Sequence, residues 1–199
     1  MIRLKVLRGH EGKQILEPLS QLRIEVFNEY PYLYEGSFEY EKKYLDRYFS
    51  SEKSVVIALL DGETLVGAST AIHLPHEMDS IKETFLKYAY KAEEVVYFGE
   101  SILKKKYRGL GYGKNFFAER ENFAKSIGGI RYTSFCSVIR NPNDARRPAD
   151  YASPEFLWKK MGYAPAEGLR TQLEWKEIGE LSDSPKDMQF WIKELSDIF

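Results

Sequence analysis

The sequence predicts a mixed α/β fold in which residues 1–199 form one domain. Three observations lead there. Segments with strand-like alternation take turns with segments of helical spacing, in the order βααββαβαβαβα. Of the 199 residues, 43% are apolar, an ordinary share for a packed core. No internal repeat or low-complexity linker divides the chain. A domain of this size buries roughly 70% of its unfolded surface, so it needs no metal or disulfide to hold it. Cys136 is the sole cysteine, which excludes an intrachain disulfide and points to an intracellular home.

The elements follow in order. "IRLKVLRG" alternates Ile2, Leu4 and Val6 against Arg3, Lys5 and Arg8, a strand with one wet face. Ile15, Leu19, Leu22 and Val26 then recur at helical spacing, with Leu16, Arg23 and Phe27 widening the stripe. A tyrosine-rich segment becomes helical again from Phe38. "SVVIALLDGETLVGASTAIHL" reads as two strands joined at Asp61-Gly62, a hairpin signal. "DSIKETFLKYAYKAEEV" holds a short helix, and "VVYFGESIL" is apolar enough for a central strand. A helix from about Lys114 to Ser126 carries Phe116, Arg120, Phe123 and Ile127 on one side; the stem of Arg120 is expected to lie over apolar surface while its guanidinium reaches water. "IRYTSFCSVI" is another strand, "NPNDARRPADYASP" a polar excursion, "EFLWKKMGY" a short helix stopped at Gly162, and "GLRTQLEWKEI" a strand. Met188, Trp191, Ile192, Leu195 and Phe199 recur at helical spacing, so residues 185–199 are expected to be a C-terminal helical extension. That stripe must be covered, either by the chain's own sheet or by its symmetry mate in a homodimer.

Charge excludes several partners. The 29 basic and 30 acidic side chains leave a net charge of -1, which recruits neither nucleic acid nor membrane, although Lys104, Lys105, Lys106 and Arg108 make a local positive patch. "MIRLKVLRGH" lacks the apolar core of a signal peptide, and no apolar run is long enough to span a bilayer. A soluble, cytoplasmic protein is the expectation.

One motif asks for a function. "RGLGYG", Arg108 to Gly113, places three glycines at alternate positions before an amphipathic helix. A tight strand-to-helix turn is the plain reading, since glycines permit positive φ and close packing. A dinucleotide fingerprint fits poorly, because that motif is G-x-G-x-x-G after the first strand of a βαβ unit. A P-loop is excluded by the missing Gly-Lys-Ser or Gly-Lys-Thr. The remaining reading is an anion cradle: successive N–H groups at a helix start, aided by the helix dipole, receive a phosphate or pyrophosphate. Side chains at 109, 111 and 113 would obstruct it, while Arg108 and Lys114 add positive charge at its rim.

"RGLGYG" resembles the Arg/Gln-x-x-Gly-x-Gly/Ala signature of the GCN5-related N-acetyltransferase superfamily. The likeness runs from about Ile2 to Trp175 and is sharpest from Glu100 to Tyr163. "SIL" stands where that superfamily has a splayed strand, "RYTSFCSVI" matches the strand after the helix, and "FLWKKMGY" matches its short helix ending in Leu-Gly-Phe or similar. The resemblance implies a mostly antiparallel central sheet flanked by helices. It implies acetyl-CoA as cofactor, gripped by Ser101, Ile102, Leu103, Arg108, Gly109, Leu110, Gly111, Tyr112, Gly113 and Lys114. Two departures stand out: Lys105 where proline is frequent, and Trp158 where many members carry the tyrosine that protonates the leaving thiolate.

Transfer to an amine requires a proton acceptor and a donor for the developing oxyanion. The superfamily draws the donor from the splayed strand, which makes the Leu103 N–H the candidate. Glu100 is the candidate base, its alternative being an edge carboxylate paired with a nearby lysine; His73 is a weaker candidate, and His10 and His76 read as loop residues. Cys136 reads as a small buried hydrophobe rather than a nucleophile. Tyr30, Tyr32 and Tyr34 fall where the superfamily builds one wall of the acceptor site. The excursion after the fifth strand closes the opposite wall with Arg146, Arg147 and Tyr151, or is an ordinary solvated loop. Inward arginines would mean an acceptor bearing a carboxylate or phosphate. The expected function is acetyl transfer to a small-molecule amine, with a non-catalytic CoA-binding module or a transferase of a longer acyl group as alternatives.

Overall fold

The structure, a computed structural model, describes residues 1–195. Its framework is a mixed sheet. Strand β1 (Ile2–Arg8) pairs antiparallel with β2 (Ser54–Asp61), in register from Ile2 opposite Asp61 to Arg8 opposite Val55. A two-residue turn at Gly62-Glu63 returns β2 into β3 (Thr64–His73). Then come β4 (Val95–Tyr97), β5 (Ser101–Leu103), β6 (Tyr132–Val138), β7 (Ala164–Trp175) and β8 (Ser184–Glu194). The order across the sheet is β1-β2-β3-β4-β6-β8-β7, with β5 paired to β3 alone. Among the described residues only β4 and β6 run parallel, so the sheet is mostly antiparallel.

Helices cover both faces because the inner strands are apolar on both parities. Val56, Ala58 and Leu60 of β2 pack with Leu19 and Leu22 of α1 (Leu16–Phe27), Leu45 and Phe49 of α2 (Phe38–Phe49), and Phe85 of α3 (Asp79–Lys87). The intervening Val55, Ile57 and Leu59 face Phe116, Phe117 and Phe123 of α4 (Tyr112–Ile127), with Leu157 and Trp158 of α5 (Glu155–Lys160) beside them.

Two expectations change here. The apolar run 95–103 is not one strand: β4 stays beside β6, the chain bends through Phe98, Gly99 and Glu100, and β5 continues against β3 only. The C-terminal helical extension is a strand. Residues 184–194 form β8 between β6 and β7, and Phe199 lies outside the described residues. Phe190 and Ile192 face the α1 side while Trp191 faces α5, stacked on Phe135 at 6.4 Å and edge-on to Trp158 at 5.0 Å. A strand buried on both faces is apolar at odd and even positions alike, so positions 188, 191, 192 and 195 satisfy a helical spacing by coincidence. With Trp191 buried inside the chain, the stripe that suggested a homodimer does not exist.

Candidate active site

The bend at Gly99 opens the sheet. Beyond Tyr97 opposite Ser134, β6 continues against β8 while β5 departs, leaving one edge of β5 unpaired among the described residues. Lys104 N–H donates to the Val66 carbonyl at 3.0 Å, so by strand alternation Ile102 also faces β3. Ser101 and Leu103 therefore turn their N–H and C=O groups to the open edge. Consistent with that, the Leu103 carbonyl accepts from Arg108 Nε at 2.9 Å.

The glycine segment lies at the end of this edge. The N–H groups of Gly109, Leu110, Gly111, Tyr112 and Gly113 find no acceptor among the described residues, and the next, Lys114 N–H, closes the first helical turn on the Gly111 carbonyl at 3.0 Å. Gly111 caps α4 at φ +92°, a conformation that disfavours any side chain, and a Cβ at 109 or 111 would project into open space. Five free donors at a helix start fit a pyrophosphate. At Gly113 a Cβ would instead sit 2.8 Å from Leu157 Cδ2 of α5, a contact with the flexible end of a side chain. The positive patch is also largely spent. Arg108 holds Glu29 through both oxygens at 2.7 and 3.0 Å, Lys104 holds Glu25 at 2.7 Å, and Lys105 faces Asp150 at 3.7 Å.

Glu100 is buried and paired with an arginine, not with a lysine at the edge. Its Oε2 takes Arg23 Nη1 at 2.6 Å and the Tyr44 hydroxyl at 3.1 Å, while its Oε1 has no partner among the described residues. Arg23 also bonds Glu41 through Nε, and Glu41 accepts from the Tyr34 hydroxyl at 2.9 Å. Burial opposes the Arg23 charge, but Glu100, Tyr44 and Glu41 outweigh it and raise its pKa. Arg23, Glu41, Tyr44 and Glu77 are the residues sequence reasoning missed. The available signal was a cation in the middle of an apolar helical stripe, which called for a buried carboxylate opposite it.

Beside this cluster lies a cleft of about 140 Å³. Its walls include Phe27, Tyr32, Tyr34, Tyr40, Tyr44 and Trp175, and its floor reaches Tyr97, Gly99 and Cys136, where β5 departs from β6. Residues 28–37 form one wall and are pinned to the β7–β8 turn: Tyr34 bridges Glu177, and Ile178 N–H donates to the Leu33 carbonyl at 2.8 Å. Of the residues expected around an acceptor, Tyr32 and Tyr34 line this cleft. Tyr30 and Tyr151 instead meet each other edge-on at 4.7 Å, which does bring the two expected walls together. Arg146 is turned away: it holds Asp144 at 2.7 Å and Glu177 at 2.6 Å, a balanced ion-pair cluster in which Arg140 takes the other Glu177 oxygen at 2.6 Å. Arg147 is exposed, 5.5 Å over the Tyr151 ring. Neither arginine supplies the cleft with a free cation.

Four further residues resolve as follows. Arg120 does not reach water; it is 2% exposed, lies 4.2 Å over the Phe98 ring and donates to the Glu100 carbonyl at 3.3 Å. Burial depresses its pKa to about 10. Cys136 is half-buried on the cleft, 3.0 Å from the Tyr97 hydroxyl, and burial pushes its thiol up to about 12, which keeps it protonated and unreactive near neutral pH. His73 is held on the Glu93 carbonyl at 2.9 Å, and burial lowers its pKa. Trp158 packs on Phe135 at 5.0 Å and supplies no acid.

Known proteins agree with this architecture. Solved structures of similar fold include NAA60 of Arabidopsis thaliana in complex with acetyl-CoA, at 17% identity and a TM-score of 0.64, covering 99% of this chain and 100% of that one. They include a probable acetyltransferase of Staphylococcus epidermidis, at 12% identity and a TM-score of 0.61 over 98% and 100% of the two chains. The ribosomal-protein-S18-alanine N-acetyltransferase of Escherichia coli aligns over 100% and 97%, at 10% identity and a TM-score of 0.61. No curated protein matches the chain in sequence. No helix among the described residues is long and apolar enough to cross a membrane. The profile of the acetyltransferase (GNAT) family matches residues 19–149, from α1 through the glycine segment to the excursion after β6, and the chain therefore belongs to that family.

Proposed function

We propose that the protein is an acetyl-CoA-dependent N-acetyltransferase acting on the amine of a small molecule. One observation carries this reading. The unpaired edge of β5 leads directly into five free N–H groups at the start of α4, a single polar track that suits a pantetheine arm and its pyrophosphate. NAA60, whose fold is similar, was solved with acetyl-CoA. When bound, acetyl-CoA supplies a thioester carbonyl and a thiolate leaving group. The chain's residues do the rest. Gly109 to Gly113 donate to the phosphates, and Ser101 and Leu103 present backbone to the arm. The Leu103 N–H is placed to meet an oxyanion. Glu100, directly before β5, accepts the amine proton.

The acceptor enters through the tyrosine-lined cleft. Arg146 lies outside it, and Arg23 within it is already committed to two carboxylates, so an anionic acceptor finds no free cation. The aromatic walls and small volume favour an uncharged-bodied, apolar or aromatic primary amine. Thiol release from acetyl-CoA over a panel of phenethylamine, tyramine, putrescine, lysine and glucosamine tests this, with the arylalkylamines expected to lead. Glu100→Gln is expected to lower turnover roughly 10² to 10⁴-fold with CoA affinity little changed. Tight CoA binding without turnover on any amine would refute the enzyme reading.

A further inference from the structure

One wall of the cleft is backbone that does not hold itself in place. Residues 28–37 form neither helix nor strand, apart from the bridge between Tyr34 and Glu177. Leu33 lies at φ +52°, in the left-handed region that its side chain disfavours. A residue stays there only when its surroundings fix it. Within the segment, the Tyr32 and Leu33 N–H groups donate to the Glu29 carbonyl at 3.1 and 3.0 Å. The carbonyls of Pro31, Tyr32 and Leu33 instead depend on distant parts of the chain. Ile178 N–H serves Leu33 at 2.8 Å, and Trp175 Nε1 serves Tyr32 at 3.0 Å.

The remaining donor is Arg140. Its Nε donates to the Pro31 carbonyl at 2.5 Å, and its Nη2 donates to the Tyr32 carbonyl at 3.1 Å. Among the described residues the Pro31 carbonyl has no other donor. The same Nη2 lies 2.6 Å from Glu177 Oε1, with Arg140 13% and Glu177 3% exposed, so the guanidinium is enclosed and oriented from two sides. Arg140 is also firmly mounted. It lies two residues beyond β6, and Ile139 N–H donates to the Asp187 carbonyl at 2.8 Å, so the sheet that carries Cys136 on the cleft floor carries Arg140 as well. The wall it grips is the one that shapes the cleft: the Tyr32 ring meets Phe27 at 4.8 Å and Trp175 at 5.8 Å, and all three line the cavity. Arg146 differs. Its guanidinium bonds Asp144 and the other oxygen of Glu177 and reaches no carbonyl of the wall.

We propose that Arg140 is a positioning residue for the acceptor amine: it clamps residues 31 and 32 so that Tyr32 stands where the substrate meets it. This rests on the reading that the cleft receives the amine. Without the clamp, Leu33 relaxes toward an ordinary φ and Tyr32 leaves its place beside Trp175. The amine binds the closed wall, so its apparent affinity falls with the fraction of protein that holds that wall closed. Once bound, the amine itself keeps the wall closed, and the chemical step proceeds as before. The effect therefore belongs in the KM for the amine and not in kcat.

The test is steady-state kinetics with acetyl-CoA and tyramine, with thermal melting to report whether each variant folds. Arg140→Lys keeps a cation beside Glu177 but loses the fork that serves two carbonyls. Its KM for tyramine is expected to rise roughly tenfold, as for the loss of one hydrogen bond to a charged group, while kcat and the KM for acetyl-CoA stay at their wild-type values. Arg140→Met made together with Glu177→Gln, which strands no buried carboxylate, is the second probe and is expected to behave alike. Arg146→Met removes the neighbouring ion pair and no bond to the wall, and is expected to keep all three constants. In a Tyr32→Ala background, Arg140→Lys is expected to raise the KM little further, because both changes act on one contact. A wild-type KM for tyramine in the folded Arg140 variants overturns the proposal. An equal rise in Arg146→Met, a parallel loss of acetyl-CoA affinity, or effects of Tyr32→Ala and Arg140→Lys that simply multiply would each overturn it too. If the wild type acetylates no amine, the enzyme reading fails and the comparison moves to tyramine binding by the CoA-loaded protein. Weaker binding in the Arg140 variants alone then upholds the clamp; equal binding, or none by any of the proteins, overturns it.

Discussion

Replacing Gly111 by alanine probes the cradle with a single methyl group. At φ +92° and ψ -9° the residue is left-handed, and an L side chain there costs roughly 1–2 kcal/mol. Nothing lies within 4 Å of the added Cβ, so no steric overlap adds to that cost. For a chain of this length the melting temperature should drop by roughly 2–8 °C. The ligand effect is separate. If the methyl displaces the phosphate from one of the five free N–H groups, losing that hydrogen bond to a charged phosphate costs roughly 1.5–3 kcal/mol. Calorimetric titration should therefore show CoA binding weakened by roughly 10 to 150-fold, while pantetheine, which lacks the pyrophosphate, binds as before. Gly113→Ala is the control. Its φ is ordinary, and its Cβ meets the flexible end of Leu157 at 2.8 Å. The helix-propensity gain of about 1 kcal/mol offsets that contact, so stability and CoA affinity should both change little. Unaltered CoA affinity in Gly111→Ala, or equal losses for CoA and pantetheine, would refute the cradle.

Trp191→Ala in β8 removes a 4% exposed ring stacked on Phe135 and edge-on to Trp158, and should destabilise the fold by roughly 3–5 kcal/mol in urea titration. Its sedimentation coefficient should match the wild type's, because the ring is interior; a shift to a smaller species would restore the interface reading. Acid should loosen the turn that closes the cleft. Hydrogen bonds from the Glu177 N–H and Ser184, with Lys186 beside them, hold Glu180 down from its ordinary 4.5 to about 2. Its contribution is thus complete above pH 4.5 and lost as the pH falls through 2. Trp175 fluorescence, followed from pH 5 to 2, should report that loss, and Lys186→Met should move the onset to higher pH.

Much of the site was legible because its chemistry is local. The spacing of Gly109, Gly111 and Gly113 ahead of an amphipathic helix pointed to a row of free N–H groups, since a helix start exposes its N–H groups whatever surrounds it. Most elements from Ile2 to Trp175 were legible for a similar reason, being carried by their own periodicity, the exception being the run 95–103, which holds two strands instead of one. Reading failed where apolar pattern alone had to choose between helix and strand. In β8, Phe190 and Trp191 are both buried, on opposite faces, and such a strand has no wet side to betray its period. It failed again at the arginines. Composition marked Arg146 and Arg147 as candidates for an anionic acceptor, yet Arg146 spends its charge on Asp144 and Glu177, 31 residues away in sequence for the latter.

By itself, then, the sequence determined the α/β class, the glycine segment and the position of Glu100 before it, all features that a few consecutive residues specify. Tertiary structure decided which charges are free. Arg23, Glu41, Glu77 and Glu100 come from four separate parts of the chain, and each is neutralised or left wanting by a partner that only folding supplies. The same holds for the divergence of β5 from β6, since a strand leaves its neighbour only where a third element offers its edge, here β3 for Ser101 to Leu103. Local conformational preference is written along the chain, whereas Coulomb energy and strand pairing depend on distances that sequence separation does not measure.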